Sequence, residues 1–373
     1  MENMGDRLFF GGSSYSRLWE KSAIGILSDR QGIALTDSEV VFCRDHRGVD
    51  FEDFNNPESY SSWLSGRLKK NPNILREAAV LEALRVPGNK VVLSENFESM
   101  GFKAPGSWAL RWNSDSHPSR DKPISEIVWF RSDEILHHGK QDSKCSFEWL
   151  LHWCEDVNQR GRLPEVLVID GEQSVVTYRL GEADPIGNMD PPTNSDFSSI
   201  NEMEGESQGD GVFIAEGGDW PLEAIGIPLH GGRQLDSTEV EIIELYCSER
   251  GPKSENWDGT STVSLDGSDS TLSLSGRILI DLWLRGLNTR SGFKYGTSWR
   301  CYSGDIGEGH APWLVVDPSK EAPSNWSEAC LSSRLASGVN KHWIYPIMDG
   351  GRLRYLQISR PPSDSRWSNP RRV

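Results

Sequence analysis

The spacing of apolar residues in the first half of the chain predicts alternating strands and helices. We expect a strand and then a helix within residues 23–43, and a second helix at 71–84. A further strand at 124–130, a third helix at 147–157 and a hairpin at 166–180 follow. The first helix has Thr36 or Asp37 as its expected N-cap, and Pro87 with Gly88 ends the second helix. The dipeptide Asp170–Gly171 is a turn signal for the hairpin.

The second half shows the same kinds of pattern. Residues 277–287 predict an amphipathic helix in which Asp281 and Arg285 lie four positions apart on the polar side. A helical segment over 333–341 leads into a hairpin over 342–360. Together the elements predict an α/β (α+β) fold in which sheets are flanked by helices.

Short segments of the first half recur in the second half in the same order. The recurring pairs are AIGI at 23–26 and 224–227, DS at 37–38 and 236–237, GFK with SW at 101–108 and 292–299, and VN with Gln or Lys at 157–159 and 339–341. The offset between the copies shrinks along the chain, as insertions and deletions would make it. This order predicts a tandem duplication of a unit made of a small α/β N-terminal subdomain and a larger subdomain with a central sheet.

The composition divides the chain into four expected parts. Residues 1–182 form the first copy, 183–219 a linker, 220–275 the small subdomain of the second copy and 276–373 its larger subdomain. The stretch 181–219 carries ten acidic residues, three prolines and no Lys or Arg, which predicts a flexible, exposed linker. A low-complexity stretch at 254–276 has no predicted role.

Near the end of the chain, several chemically distinctive residues occur at fixed offsets. They are Gly292-Phe293-Lys294-Tyr295-Gly296, Arg300-Cys301-Tyr302, His310, and Arg334-Leu335-Ala336 through Val339 to Lys341. This pattern resembles the catalytic domain of the tRNA-splicing (tRNA-intron) endonucleases. With its two copies the chain resembles the two-repeat archaeal type, in which a degenerate repeat is fused to an active one. The resemblance implies that Tyr302, His310 and Lys341 are the catalytic residues.

The implied chemistry also follows from the side chains. Cleavage of RNA by its own 2′-hydroxyl needs a base, an acid for the departing 5′-oxygen and a cation for the charged phosphorane. Histidine titrates near neutrality, so His310 suits the general acid. A tyrosine ordinarily has a pKa of about 10, so Tyr302 as base needs neighbouring positive charge, which Lys341 supplies. The expected products are a 2′,3′-cyclic phosphate and a 5′-hydroxyl end.

The resemblance also implies RNA-binding arginines and the absence of a cofactor. Arg334 matches a family position that holds a bulged nucleotide between two guanidinium planes, and Arg360 is the candidate for the second plane. Arg352 and Arg354 lie near Arg360 in sequence, and a plain surface ion pair is the alternative for Arg360. No metal or other cofactor is expected, because the acidic residues between Tyr302 and His310 have the pattern of a solvated loop.

The first copy lacks the chemistry in this comparison. Gln159 occupies the place of Lys341, and Arg111 or Trp112 that of Tyr302. The region near Ile124 has no histidine to match His310, and His117 lies in a Pro-, Ser- and Asp-rich loop. We therefore expect the first copy to be non-catalytic.

Charge and cysteine usage narrow the function classes. The whole chain has a net charge of −16, which argues against a general nucleic-acid coat protein. Residues 276–373, however, carry 14 Lys and Arg against 8 Asp and Glu, so this end can attract a polyanion. The six cysteines show no CxxC pair, and there is no leader-like start and no long apolar run. These features favour a cytoplasmic protein with no membrane association.

Two functions from different classes fit the sequence. The first is a metal-independent endonuclease that excises introns from precursor tRNA at a bulge-helix-bulge, working as a homodimer. The second is a non-catalytic RNA-binding or structural subunit of a splicing complex. The presence of Tyr302, His310 and Lys341 favours the enzyme.

Overall fold

The computed structural model describes residues 7–12, 14–28, 31–138, 143–215, 219–247, 272–307 and 309–369. Contacts between Cα atoms divide the chain into two units. Unit 1 comprises Met1–Leu180, Asn325–Ser327 and Arg360–Val373, and unit 2 comprises Gly181–Ser324 and Glu328–Ser359. Within the described ranges, no helix combines the length and the apolar character needed to cross a membrane.

Unit 1 begins with a small subdomain. It contains β1 (Leu8–Gly11), α1 (Tyr15–Ser22), β2 (Ile26–Ser28), β3 (Gly32–Leu35), α2 (Asp37–Arg47) and α3 (Pro57–Lys70). The three strands pair antiparallel in the order β1-β3-β2. Thr36 caps α2, and Glu39 completes a reciprocal capping box, so Thr36 is confirmed as the N-cap. The sequence analysis did not predict α3, which Asn56 caps and Pro57 starts.

The larger subdomain of unit 1 alternates strands and helices. It contains α4 (Ile74–Arg85), β4 (Lys90–Leu93), β5 (Ala109–Trp112), β6 (Ser125–Arg131), α5 (Phe147–Gln159), β7 (Leu163–Ile169) and β8 (Val175–Ala183). The strands follow one another in the order β4-β5-β6-β7-β8, and only β6 and β7 pair parallel. Helix α5 makes the crossover that a parallel pair requires. The predicted helices over 71–84 and 147–157 and the hairpin over 166–180 are confirmed.

A buried ion pair crosses the sheet of unit 1. Arg111 donates to both oxygens of Glu165, with Nε–Oε2 at 2.7 Å and Nη2–Oε1 at 2.9 Å. Ser125 Oγ donates to Glu165 Oε2 at 2.6 Å. The indole of Trp367 covers this pair, with the Arg111 guanidinium 4.6 Å from the ring centroid. Thr177 exchanges hydrogen bonds with the backbone of Trp367, so residues 360–369 belong to unit 1.

Unit 2 also begins with a small subdomain. It contains α6 (Asn194–Asn201), β9 (Gly205–Gln208), β10 (Gly211–Ala215), β11 (Ile227–Leu229), β12 (Gly232–Leu235) and α7 (Ser237–Cys247). The strands pair antiparallel in the order β11-β12-β10-β9. The prediction of a flexible linker over 183–219 is wrong for its described residues. Phe197, Ile200 and Ile214 from this stretch are buried in the core of unit 2, which offsets the cost of ordering an acidic segment.

The larger subdomain of unit 2 carries the motif residues. It contains α8 (Leu274–Leu284), β13 (Asn288–Ser291), β14 (Trp299–Tyr302), β15 (Trp313–Val315), α9 (Pro318–Glu321), α10 (Trp326–Gly338), β16 (His342–Asp349) and β17 (Arg352–Ser359). The strands follow one another in the order β13-β14-β15-β16-β17, with only β15 and β16 parallel. The predicted pair on α8 forms, with Arg285 Nε 2.7 Å from Asp281 Oδ2. Most of the low-complexity stretch at 254–276 lies outside the described residues.

The two larger subdomains share one order of elements. In each, a helix precedes an antiparallel run of three strands, a crossover helix and a final hairpin. The α+β fold class is therefore confirmed. The tandem duplication that would explain this likeness remains a prediction.

Candidate active site

Tyr302 ends strand β14 in unit 2. Its Cα partner on β13 is Asn288, and its side chain is half-buried. Arg300 lies two residues earlier on the same strand, so both side chains project from the same face of the sheet. The Arg300 guanidinium carbon lies 5.7 Å from the centroid of the Tyr302 ring. This contact gives Tyr302 a cationic neighbour that the sequence analysis had not assigned to it.

Lys341 lies at the junction of α10 and β16. Helix α10 ends at Gly338, and Asn340 turns the chain with a left-handed φ of 54°. The backbone N–H of Lys341 then donates to Ala336 O at 3.0 Å, which closes the turn. The half-buried side chain points its Nζ at Ala311 O and lies 5.4 Å from the centroid of the Tyr295 ring. Burial lowers the pKa of Lys341, and the charge of Arg300 lowers it further.

His310 comes shortly before β15 and is exposed, whereas the next residue, Ala311, is 2% exposed. The parallel pairing of β15 with β16 brings this segment beside Lys341. Besides the bond from Lys341 to Ala311, His342 N donates to Pro312 O at 2.8 Å. Hydrogen bonds from Lys341 and His342 thus hold the backbone of residues 311–312 in place. The imidazole of His310 remains accessible to solvent.

A chain of contacts links the predicted catalytic residues. Tyr302 neighbours Arg300, the charge of Arg300 acts on Lys341, and Lys341 bonds to the residue after His310. Tyr302 ends β14, and His310 and Lys341 lie just before β15 and β16, which follow β14 in the sheet. The three predicted catalytic residues therefore lie along one edge of the sheet, and their roles remain predictions.

The predicted RNA-binding arginines fall in different units. Arg334 is exposed on α10, in unit 2, whereas Arg360 is exposed and belongs to unit 1. Of the two alternatives to Arg360, Arg354 is committed to ion pairs with Glu182 and Asp349, at 2.7 Å and 2.8 Å. Arg352 is exposed at the start of β17. The second member of a guanidinium clamp remains a prediction.

The acidic loop before His310 is only partly described, because Glu308 lies outside the described residues. Across the part of the chain that is described, no three His, Cys, Asp or Glu side chains come together as a metal site requires. The residues that the sequence analysis left without a role are Arg300 and Tyr295. Both residues are part of the sequence motif. The two-residue spacing of Arg300 and Tyr302 on a strand could have predicted that their side chains lie on the same face of the sheet.

The corresponding region of unit 1 corrects the sequence comparison at one position. The N–H of Arg162 donates to Val157 O at 3.2 Å after a left-handed Gly161, and Leu163 N donates to Ile124 O at 2.9 Å. This is the bonding pattern of Lys341 and His342, so the counterpart of Lys341 is Arg162 and not Gln159. Strand register assigns Trp112 to the place of Tyr302, because Lys90 pairs with Trp112 as Asn288 pairs with Tyr302.

Comparisons with known proteins agree with the geometry. Residues 276–355 match the family model "tRNA intron endonuclease, catalytic C-terminal domain". The tRNA-splicing endonuclease of Thermoplasma volcanium is 28% identical over 192 residues, 52% of this chain and 53% of that protein. Those of Picrophilus torridus and Methanococcus vannielii are 26% and 35% identical, over 52% and 22% of this chain and 55% and 46% of their own lengths.

The chain spans about half the length of the first two curated relatives. The matched residues include strand β14 with Tyr302, the segment with His310, and Lys341 at the junction of α10 and β16. The similarity therefore falls on the part of unit 2 that contains these contacts. Residues 276–355 of this chain are similar to the catalytic C-terminal domain of the tRNA intron endonucleases.

Proposed function

We propose that this chain is a tRNA-intron endonuclease, an endoribonuclease that excises introns from precursor tRNA. The observation that supports the proposal is that Tyr302, His310 and Lys341 lie at or just before adjacent strand ends within the matched domain. The names of the relatives support the same activity. The positive charge of residues 276–373 suits a polyanionic substrate.

In the proposed reaction, Tyr302 accepts the proton of the 2′-hydroxyl beside the cleaved phosphodiester. The 2′-oxygen bonds to phosphorus while the bond from phosphorus to the 5′-oxygen breaks. His310 starts as an imidazolium and gives its proton to the departing oxygen, while Lys341 stabilises the negative charge of the phosphorane. The products are a 2′,3′-cyclic phosphate and a 5′-hydroxyl, and the step requires no metal ion.

The proposed substrate is precursor tRNA with a bulge-helix-bulge. Arg334, exposed on α10, is positioned to stack on an extruded base, and Arg360 is the proposed second plane. Such a substrate has two cleavage sites related by an approximate two-fold axis. Unit 1 is the proposed degenerate repeat, with Trp112 and Arg162 where unit 2 has Tyr302 and Lys341. One active site per chain therefore favours a homodimer, which presents two sites at once.

The deciding experiment is cleavage of a bulged precursor tRNA in EDTA under single-turnover conditions, followed by analysis of the new ends. Cleavage with cyclic-phosphate and 5′-hydroxyl ends supports the proposal. Cleavage that depends on an added divalent ion would contradict the mechanism. Binding with no cleavage would favour the alternative, a non-catalytic RNA-binding or structural subunit of a splicing complex.

A further inference from the structure

The sheets of the two units can be compared position by position, because their strand registers are the same. In unit 2, Arg290 on β13 is opposite Arg300 on β14, and Arg300 is opposite Leu314 on β15. In unit 1, the same register places Val92 opposite Leu110, and Leu110 opposite Glu126. Three positions on one face of the sheet have therefore changed in character between the units.

In unit 1 this face is apolar and its charges are neutralised. Val92, Leu110 and Trp112 belong to a buried hydrophobic cluster with Phe97 and Ala104. The carboxylate of Glu126, which is fully buried, accepts hydrogen bonds from three side chains, those of Ser107, Arg160 and Arg162. Arg162, the counterpart of Lys341, is thus paired with a carboxylate. On this face, Glu126 and the two arginines that pair with it neutralise one another.

In unit 2 two of these positions carry arginines, and the charges of Glu239 and Glu223 act on the first of them, Arg290. Arg290 is held by the carbonyl oxygens of Glu223 and Ala224, at 3.0 Å and 3.4 Å from its guanidinium nitrogens. The Nε of Arg300, in contrast, is buried and has no hydrogen-bond partner among the described residues. Arg300 forms no ion pair with any residue that the structure describes. Its neighbour across the strands, Leu314, is fully buried and apolar, so it cannot neutralise the charge.

Arg300 also lies close to a second cation. Its charge contributes to the lowered pKa of Lys341, although burial of the lysine contributes more. Two cations that face each other in a partly dehydrated site destabilise one another unless an anion lies between them. The negative group that fits this place beside Tyr302 is a phosphodiester, for which a guanidinium provides a planar pair of donors.

We propose that Arg300 is a further catalytic residue, whose guanidinium binds the non-bridging oxygens of the phosphodiester between Tyr302 and Lys341. The proposal rests on the proposed endonuclease activity and adds a residue to that site. As the 2′-oxygen attacks, negative charge grows on those oxygens, and Arg300 stabilises it together with Lys341.

Three variants of the full chain test this role. Arg300→Leu installs the residue that unit 1 has at this position, and Arg300→Lys keeps the charge without the planar donors. Arg17→Leu, an exposed arginine on α1, controls for the loss of one positive charge. Single-turnover cleavage in EDTA gives the chemical rate. Binding of a precursor with a 2′-deoxynucleotide at the cleavage site gives the affinity without cleavage.

We expect Arg300→Leu to slow cleavage by about 10²–10³-fold, the loss typical of removing one donor to a developing oxyanion. Arg300→Lys should recover part of the rate, and Arg17→Leu should cleave like the wild type. Binding of the deoxy substrate should change far less than the rate, since the charge to be stabilised grows during reaction. A wild-type rate for Arg300→Leu would overturn the proposal.

A structural role for Arg300 is distinguished by thermal unfolding and by mass in solution. If Arg300 is purely structural, Arg300→Leu lowers the cleavage rate only because it lowers the Tm or the assembly mass. If those losses match the loss of rate, and Arg300→Lys restores stability and rate together, the catalytic role is wrong. Cleavage of the same RNA by the wild type and by His310→Ala is measured in parallel. This comparison shows whether the proposed function itself fails or only the role of Arg300. Without cleavage by the wild type the proposed function fails, whereas cleavage by wild type and Arg300→Leu alike removes only Arg300.

Discussion

His310 differs from Tyr302 and Lys341, the other two proposed catalytic residues, because its side chain is exposed while the backbone next to it is held by hydrogen bonds. Its neighbours Ala311 and Pro312 are held by Lys341 and His342, so the ring can meet a leaving oxygen without moving the chain. We expect His310→Ala to slow single-turnover cleavage by about 10²–10⁴-fold, because the proton for the departing 5′-oxygen is lost. Substrate binding should be preserved.

A substrate with a sulfur atom at the 5′-bridging position identifies this role, because a thiolate leaves without being protonated. His310→Ala should regain most of its lost rate on that substrate. His230→Asn, which keeps a residue tolerant of the left-handed backbone at φ 50°, is the matched histidine control. An equal defect of His310→Ala on both substrates would contradict the assignment as general acid.

For Tyr302 we expect the opposite response to the sulfur substrate. Tyr302→Phe keeps the ring beside Arg300 and removes the oxygen that accepts the 2′-hydroxyl proton, so the chemical step should slow by about 10²–10⁴-fold. A better leaving group does not replace a base, and the sulfur substrate should not restore the rate. Unchanged single-turnover kinetics, with Tyr15→Phe as the control, would remove Tyr302 from the mechanism.

The roles of Tyr302, His310 and Lys341 remain predictions, whereas the sequence comparison of the two units was wrong at one position. The fixed offsets of Tyr302, His310 and Lys341 identified a family pattern, and the strands bring them to one edge. The counterpart of Lys341 was misassigned to Gln159 because a three-residue sequence match ignores how the helix ends. In both units two residues separate the end of the helix from the compared position, and the hydrogen bonds show that Arg162 takes that place.

Between the strands of unit 1, Arg111 on β5 and Glu165 on β7 form a buried ion pair that affects the stability of the fold. Arg111 and Glu165 are almost completely buried, with side-chain exposures of 2% and 0%. Removing one partner leaves an uncompensated charge, so Glu165→Gln should lower the free energy of unfolding by about 3–5 kcal/mol. The exposed Glu172→Gln is the control.

The same pair allows a second comparison. Arg111→Met combined with Glu165→Leu removes both charges and should recover much of the stability lost in Glu165→Gln. Urea unfolding followed by tryptophan fluorescence measures both variants. If the double variant is less stable than Glu165→Gln, the attraction between Arg111 and Glu165 accounts for the loss of stability, and the burial of an unpaired charge does not.

The start of α7 depends on pH through Glu239. Its carboxylate accepts from the backbone N–H groups of Gly226 and Asp236, each at 2.9 Å. Burial, with a smaller contribution from the charge of Asp236, raises the pKa of Glu239 from 4.5 to about 8. A raised carboxyl pKa stabilises the fold fully below the unfolded value, and this stability is lost as pH rises through the folded value.

The free energy of unfolding of wild type should therefore fall between about pH 4.5 and pH 8 by an amount that Glu239→Gln does not show. The exposed Glu244→Gln on the same helix should keep the wild-type pH dependence. Urea unfolding across this range makes the comparison. Parallel pH profiles for wild type and Glu239→Gln would show that this carboxyl does not titrate as described.

Helices and hairpins with strong local signals were predicted well, and those with mixed signals were not. The Asp–Gly turn and the capping residue Thr36 are set by local backbone chemistry, so the sequence was sufficient. In the acidic stretch before residue 219, composition suggested disorder. Three apolar side chains, Phe197, Ile200 and Ile214, are spaced to reach one core, and that tertiary contact outweighs the surrounding charge.

For the protein as a whole, the proposed function requires one active site per chain to serve two cleavage sites. We expect a homodimer, with about twice the chain mass of 41.8 kDa in solution. Light scattering during size exclusion, across a range of salt concentrations, measures it. A persistent monomer that makes both cuts in one encounter with the RNA would contradict the expected assembly.

The packing of Trp367 in unit 1 affects when this unit can complete its folding during translation. Thr177 and Glu165 leave the ribosome long before residues 360–369, yet their hydrogen bonds to Trp367 belong to the finished unit. At the ordinary rate of synthesis, about 5–20 residues per second, this delay lasts on the order of ten seconds or more. Unit 1 can therefore begin to fold early but is completed only after residues 360–369 have been translated.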